Sequence, residues 1–145
     1  MTWPEYFFGI IEAVKAKSKD PHTHVGCVIA GVDNEILTTG YNSFPRGILD
    51  DVPERLERPE KYLWIEHSER NAIYNAARRI LKGSTIYMGA LPCIDCAQAI
   101  IQSGIVRIVI SKESYAKWDS KKYDADVMAK SLTMLQEAKV EVEYV

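Results

Sequence analysis

The sequence has 145 residues, of which 47% are hydrophobic and 26% charged, so it is long enough to bury the core of one domain, residues 1–145, and short for two. Its formal net charge of −2 argues against the broad basic surface of a nucleic-acid-binding protein and favours a small-molecule partner. No apolar run reaches the length of a membrane span, and acidic Glu5 lies where a signal peptide would be basic, so we expect a cytoplasmic protein.

The first part of the chain predicts one helix, one β-hairpin and one long loop. Apolar residues recur at helical spacing until a break at residues 18–21, which indicates a first helix. Two short apolar runs, 25–30 and 35–40, flank a turn-forming segment at 31–34 and predict two antiparallel strands. Prolines, glycine and charges fill 41–61, which predicts a long loop, and loops of this length tend to be functional or disordered.

The second part alternates helices and strands. The predicted segments, beginning with a helix, are 67–82, 84–89, 93–103, 105–110, 124–138 and 140–144. Helices that connect successive strands favour right-handed crossovers and parallel pairing. We therefore predict an α/β fold, a three-layer α/β/α sandwich around a five-stranded mixed sheet whose last two strands are parallel.

Three potential zinc ligands lie at the predicted starts of two consecutive helices: His67, Cys93 and Cys96. The two cysteines are three positions apart on one helix face, so both sulfurs can reach one ion. Ligands gather at the carboxyl ends of strands in open α/β sheets, where these helices begin. Three protein ligands leave the fourth tetrahedral position to water, which is typical of a catalytic zinc site.

Glu69 follows His67 by two positions, a spacing that does not place both side chains on one helix face. It is therefore expected to face the water and not to bind the metal. Zinc lowers the pKa of such a water to about 7, and a carboxylate can pass its proton to a ring nitrogen and a leaving amine. The stretches His67-Ser68-Glu69 and Pro92-Cys93-Ile94-Asp95-Cys96 match the signature of zinc deaminases and predict hydrolytic deamination.

Two other interpretations of these residues are open. The Cys-x-x-Cys pair could be a redox pair, although that hypothesis leaves His67 and Glu69 without a role. His22, His24 and Cys27 could supply a fourth ligand and close the site, which would make the zinc structural and the chain a catalytically silent binding or assembly subunit.

Further stretches carry a resemblance to a known family. They are Ser18-Lys19-Asp20-Pro21, Val25-Gly26, Gly40-Tyr41-Asn42, Pro45, Gly47, Asp50-Asp51 and Glu69-Arg70-Asn71-Ala72-Ile73. With the zinc signature, they make the chain similar, over nearly its whole length, to the deoxycytidylate deaminases of the cytidine deaminase-like superfamily. This resemblance implies zinc-dependent hydrolysis of dCMP to dUMP and ammonia, with zinc bound by His67, Cys93 and Cys96 and a proton shuttle at Glu69.

The resemblance also implies contacts with the substrate. Asn42 is expected to hydrogen-bond the sugar or base, the backbone at Ser68 to help hold the ring, and Tyr115 to lie beside the nucleotide. A phosphate needs nearby cations, and Arg46, just after Asn42 in the long loop, is the preferred candidate. The other candidates are Lys19, Arg70, Lys112 and Lys117.

Other substrates and partners are compatible with the zinc signature. The alternative to dCMP is another base, nucleoside or nucleotide, such as guanine, adenosine in RNA or a modified pyrimidine. The negative net charge weighs against RNA, because a phosphate-rich partner needs a basic surface. The family resemblance implies a homo-oligomer, often a hexamer, and no membrane partner is expected.

Overall fold

The computed structural model describes residues 1–76 and 80–145. Five strands form one mixed sheet, and their bounds are Gly26–Ala30 (β1), Ile36–Tyr41 (β2), Thr85–Met88 (β3), Arg107–Ile110 (β4) and Glu141–Tyr144 (β5). They lie in the order β2-β1-β3-β4-β5. β1 is antiparallel to β2 and β3, whereas β3, β4 and β5 are parallel to one another. The predicted five-stranded mixed sheet with two parallel final strands is confirmed.

Six α-helices lie within the described ranges. Their bounds are Trp3–Lys15 (α1), Lys61–Trp64 (α2), Ser68–Asn75 (α3), Ile94–Gln102 (α4), Lys112–Lys117 (α5) and Ala125–Glu137 (α6). Two short 3₁₀ helices, Pro53–Leu56 and Ser120–Lys122, lie in the connections.

The strands bury alternate residues on opposite faces of the sheet, as the two-residue period of a strand requires. On β1, Val28 packs with Phe7 and Ile11 of α1, whereas Cys27 and Ile29 belong to a second cluster formed with α3, α4 and α6. Both faces of the sheet are therefore covered by helices, which confirms the predicted three-layer sandwich.

Two predicted segments differ from the structure. The helix predicted at 67–82 ends at Asn75, where the Ala76 N–H is shared between the carbonyls of Ala72 and Ile73 and tightens the last turn. Residues 77–79 lie outside the described ranges, and residues 80–82 are not helical. The predicted loop at 41–61 contains a 3₁₀ helix at Pro53–Leu56 and the first residue of α2, and the segment between the predicted strand 105–110 and helix 124–138 contains α5.

Gly40 of β2 lets α3 approach the sheet closely. A Cβ atom at this position would lie 2.2 Å from the Ser68 carbonyl oxygen and 2.5 Å from the Ala72 nitrogen, both backbone atoms that cannot rotate away. We expect Gly40→Ala to lower the free energy of unfolding by at least about 1–3 kcal/mol. Urea denaturation measures this change.

Gly9 provides the matched control, because nothing lies within 4 Å of a Cβ placed there, on an exposed position of α1. Gly9→Ala is expected to raise stability by about 0.5–1 kcal/mol, the usual gain from replacing glycine inside a helix. An unchanged urea midpoint for Gly40→Ala would contradict the close approach of α3 to β2.

Candidate active site

The three predicted zinc ligands meet at the starts of two helices. His67 and Cys93 are the residues that precede α3 and α4, both with extended backbone, and their carbonyls accept the first helical hydrogen bonds. Neither side chain caps its own helix, so both are free to turn toward a common point. Cys96 lies in the first turn of α4.

The donor atoms have the spacing that one zinc ion requires. The Sγ atoms of Cys93 and Cys96 each lie 3.5 Å from His67 Nδ1, and all three donor atoms lie within 4.8 Å of one another. Zinc bond lengths to sulfur and nitrogen at a tetrahedral angle give a sulfur–nitrogen separation of about 3.6 Å. A Cys₂His set in this arrangement fits zinc in both chemistry and geometry.

The same closeness shifts the protonation of the three donors. The hydrogen bonds from Cys96 and His67 lower the pKa of the Cys93 thiol. The pKa of Cys96 is raised by its bond to Cys93, by burial and by the charge of Glu69, while the bond to Cys93 raises the pKa of His67. Because zinc binds thiolates and neutral imidazole, its binding here releases protons and is favoured as pH rises.

Glu69 borders the three donors without joining them. Its side chain is buried on the first turn of α3, and its Oε2 lies 3.6 Å from Cys96 Sγ. Ser68, between His67 and Glu69, is also buried, and its hydroxyl has no hydrogen-bond partner among the described residues. A carboxylate therefore lies at the edge of the zinc site, where it can exchange protons with a bound molecule.

Two of the residues that could have closed the site, Cys27 and His22, face elsewhere. Cys27 is fully buried, and its Sγ donates to the Ser68 carbonyl at 3.3 Å. His22 Nε2 lies 3.4 Å from Glu57 Oε2 at the surface. In the ranges that the structure describes, the only such group of His, Cys, Asp and Glu donors is formed by His67, Cys93 and Cys96.

Two of the predicted substrate contacts, Asn42 and Arg46, line a cleft of about 300 Å³. The amide of Asn42 is used by the chain itself, because its oxygen accepts from the Val25 N–H at 2.9 Å and its nitrogen donates to the Thr23 carbonyl at 2.8 Å. Arg46 donates to the neutral side chain of Asn75. The zinc ligands and Glu69 do not line this cleft. The predicted site residues therefore fall into two groups, with Asn42 and Arg46 in the cleft and Glu69 beside the zinc ligands.

Tyr115 belongs to a row of four aromatic side chains. Its ring lies 5.2 Å from that of Tyr144 and 5.5 Å from that of Trp118, and Trp118 in turn lies 5.3 Å from Tyr123. Burial raises the pKa of Tyr123, and the nearby charges of Glu69 and Cys93 add to this shift. Tyr123 forms one end of this row.

The sequence pattern did not indicate Tyr123 as a member of this row. The signal that could have identified it is its place directly before Asp124, whose side chain caps the first turn of α6 and fixes the chain at that point. The preceding residues form a 3₁₀ turn capped by Asp119. The capped turns on both sides of Tyr123 fix the position of its backbone.

The fold and the site together define a zinc-dependent deaminase, in which a His–Cys–Cys set and a neighbouring glutamate lie at the helix starts of an α/β/α sandwich. A family model described as the cytidine and deoxycytidylate deaminase zinc-binding region matches residues 1–112. The chain belongs to this family. It is a zinc hydrolase of the deaminase type.

Individual relatives agree with this assignment. The chain is 37% identical over 120 residues to a human deoxycytidylate deaminase, which covers 79% of this chain and 67% of that protein. It is 37% identical over 145 residues to an uncharacterized deaminase of Aliivibrio fischeri, covering 98% of this chain and 92% of that protein. The fold matches the dCMP deaminase of cyanophage S-TIM5 with a TM-score of 0.73 and 23% identity, covering 98% and 96% of the two chains.

Proposed function

We propose that this protein hydrolyses dCMP to dUMP and ammonia. The observation that carries the proposal is the buried Glu69 carboxylate beside the donor set of His67, Cys93 and Cys96. The choice of dCMP among cytosine substrates is supported by the similarity to human deoxycytidylate deaminase and by the cyanophage enzyme, whose structure was solved with dCMP and dUMP.

Glu69 is the proton carrier in this proposal. Bound zinc supplies Lewis acidity, which lowers the pKa of a water molecule toward neutrality. Glu69 accepts one proton from the attacking water and delivers it to ring N3, then accepts the second proton from the resulting C4 hydroxyl and delivers it to the amino group at C4. The water oxygen bonds to C4, the C4–N bond breaks and the nitrogen leaves as ammonia, so the cytosine ring becomes uracil.

Arg46 is proposed to bind the phosphate. Among the candidate cations, Lys19 pairs with Asp50 at 2.7 Å, and Lys117 pairs with Glu113 at 2.7 Å. Among the described residues neither Arg46 nor Lys112 has an ion pair, but only Arg46 lines the cleft with Asn42, where its one contact is the neutral Asn75 amide and its charge is available to an anion.

The other substrate contacts also remain proposals. Asn42 lines the cleft with Arg46, where it is proposed to contact the sugar or base while holding the segment at 23–25. The backbone at Ser68 is proposed to hold the ring, because it adjoins both His67 and Glu69. Tyr115 is proposed to lie beside the nucleotide, with its ring packed against Trp118 and Tyr144.

A substrate panel tests the proposed function. Purified zinc-loaded protein is expected to release ammonia from dCMP at a kcat/KM at least about ten-fold above that for cytidine or deoxycytidine, because a charge-assisted phosphate contact contributes about 1.4 kcal/mol or more. Guanine, adenosine-containing RNA and modified pyrimidines are the competing arms. If the protein released ammonia from one of these compounds and from no cytosine nucleotide, that compound would replace dCMP as the proposed substrate.

We also propose that the protein forms a homo-oligomer. Exposed apolar side chains on α1 and α2 support the homo-oligomer, often a hexamer, that the family implies; they are Trp3, Tyr6, Tyr62 and Leu63. Sedimentation velocity measures this state.

None of the helices within the described ranges could span a membrane. A cytoplasmic location and a single domain over residues 1–145 stay predictions, the latter supported by one sheet that includes strands from both ends of the chain.

A further inference from the structure

The zinc ligands come from two separate helices, and one side chain connects the two helix starts. Arg70 lies in the first turn of α3, and its Nε and Nη2 each lie 2.5 Å from Glu66 Oε1. On its other side, Nη1 lies 3.6 Å from Asp95 Oδ2. Asp95 stands between Cys93 and Cys96, so the guanidinium spans from the helix that follows the histidine to the helix that carries the cysteines.

Glu66 extends this connection to the histidine itself. The same Oε1 that binds Arg70 also accepts the backbone N–H of His67 at 3.1 Å. The backbone of Glu66 is fixed in turn by two hydrogen bonds with Ser43, of 2.8 and 3.2 Å. Contacts therefore run without interruption from Asp95 through Arg70 and Glu66 to the backbone of His67.

The Glu66–Arg70 part of this connection is shielded from solvent, with side-chain exposures of 23% and 19%. A partly buried pair is screened less than a surface pair and has fewer competing partners in water. Asp95 is 70% exposed, which makes its contact the weaker of the two. The guanidinium already contacts two carboxylates, so Arg70, although one of the candidate cations, is poorly placed to bind the phosphate.

We propose that Arg70 is a positioning residue of the zinc site, which sets the spacing between His67 and the cysteine pair through Glu66 and Asp95. The planar guanidinium can bind two partners in fixed directions, which a lysine ammonium cannot do. Residues that orient metal ligands from outside the coordination sphere commonly alter metal affinity or activity by about 10–100-fold. This role concerns the zinc site alone and does not depend on dCMP being the substrate.

Zinc affinity of the purified protein, measured by competition with a chromophoric chelator, tests the role directly. Arg70→Gln and Arg70→Lys are both expected to weaken zinc binding by about ten-fold. The lysine variant retains the positive charge and loses the planar guanidinium that binds two partners, so it separates the effect of geometry from that of charge. Arg107→Gln is the matched control, because Arg107 forms a similar pair with Glu143 between β4 and β5. Its zinc affinity is expected to equal that of the native protein.

The outcomes are distinct. If Arg70→Lys binds zinc as the native protein does, the guanidinium geometry is not required, and the proposal is overturned. Unchanged zinc affinity with a ten-fold or greater rise in KM for dCMP would instead make Arg70 a phosphate ligand. Should Arg70→Gln fail to fold, Arg70→Lys still decides the question. Because zinc binding is measured without substrate, failure of the dCMP proposal leaves this test intact.

Discussion

Glu69→Ala is expected to reduce kcat for dCMP by about 10²–10⁴-fold, the usual contribution of a positioned acid and base, while the protein keeps its zinc. The carboxylate lies 3.6 Å from Cys96 Sγ and is buried, but the donor set of His67, Cys93 and Cys96 is complete without it. Removing it deletes the proton carrier and leaves the metal site. Ammonia release measures the first effect, and elemental analysis of zinc per chain measures the second.

Glu69→Gln refines this test, because the amide keeps the size and a hydrogen-bond acceptor but cannot carry the proton. It is expected to be nearly as inactive as the alanine variant. Glu12→Gln, at an exposed residue of α1 paired with Lys15, serves as the control for loss of one carboxylate. Loss of zinc from either Glu69 variant would make this residue a metal ligand, and native activity in either one would remove it from the mechanism.

The zinc site could be predicted from sequence because local rules determine it. His67 and Cys93 each precede a helix, and the three-residue spacing of Cys93 and Cys96 places both sulfurs on one face of α4. The alternation of helices and strands in the second half then determines that both helix starts lie at the same edge of the sheet. Neither step requires knowledge of distant contacts.

The long segment between β2 and α3 could not be predicted in the same way. Its helix α2 has four residues, too few for a recognisable period, and Lys61 at its start is charged and would ordinarily be assigned to the surface. The structure buries Lys61 because Asp20, 41 positions away, is its partner. The contacts of Trp118 with Tyr115 and Tyr123 likewise depend on how the polar connection between β4 and α6 folds.

The Asp20–Lys61 pair links two segments that border the cleft containing Asn42 and Arg46. Lys61 Nζ lies 2.9 and 3.1 Å from the two carboxylate oxygens of Asp20, and both residues are about 5% exposed. Asp20 also accepts the N–H groups of His22 and Thr23, at 2.8 and 3.1 Å. The carboxylate thus connects the chain before β1 to the start of α2.

Lys61→Met is expected to lower the free energy of unfolding by about 3–5 kcal/mol, because it leaves the Asp20 carboxylate buried without its counter-ion. Urea denaturation at neutral pH measures the loss. Lys19→Met is the matched control, since Lys19 forms an exposed pair with Asp50 and should lose no more than about 1 kcal/mol. Asp20→Asn combined with Lys61→Met should lose less than the two single variants added together, because neither charge then remains unpaired.

The pH dependence of this pair has a definite sign. Burial raises the pKa of Asp20, but the bonds from Lys61, His22 and Thr23 outweigh burial and lower it below its usual 3.8. A carboxyl with a lowered pKa in the folded state stabilises the protein above its unfolded pKa, and this contribution is lost as pH falls through the folded value. The stability difference between the native protein and Asp20→Asn should therefore be constant near neutrality and shrink below about pH 4. A difference that grew on acidification would mean that Asp20 is protonated more readily in the folded protein, which is incompatible with a buried ion pair to Lys61.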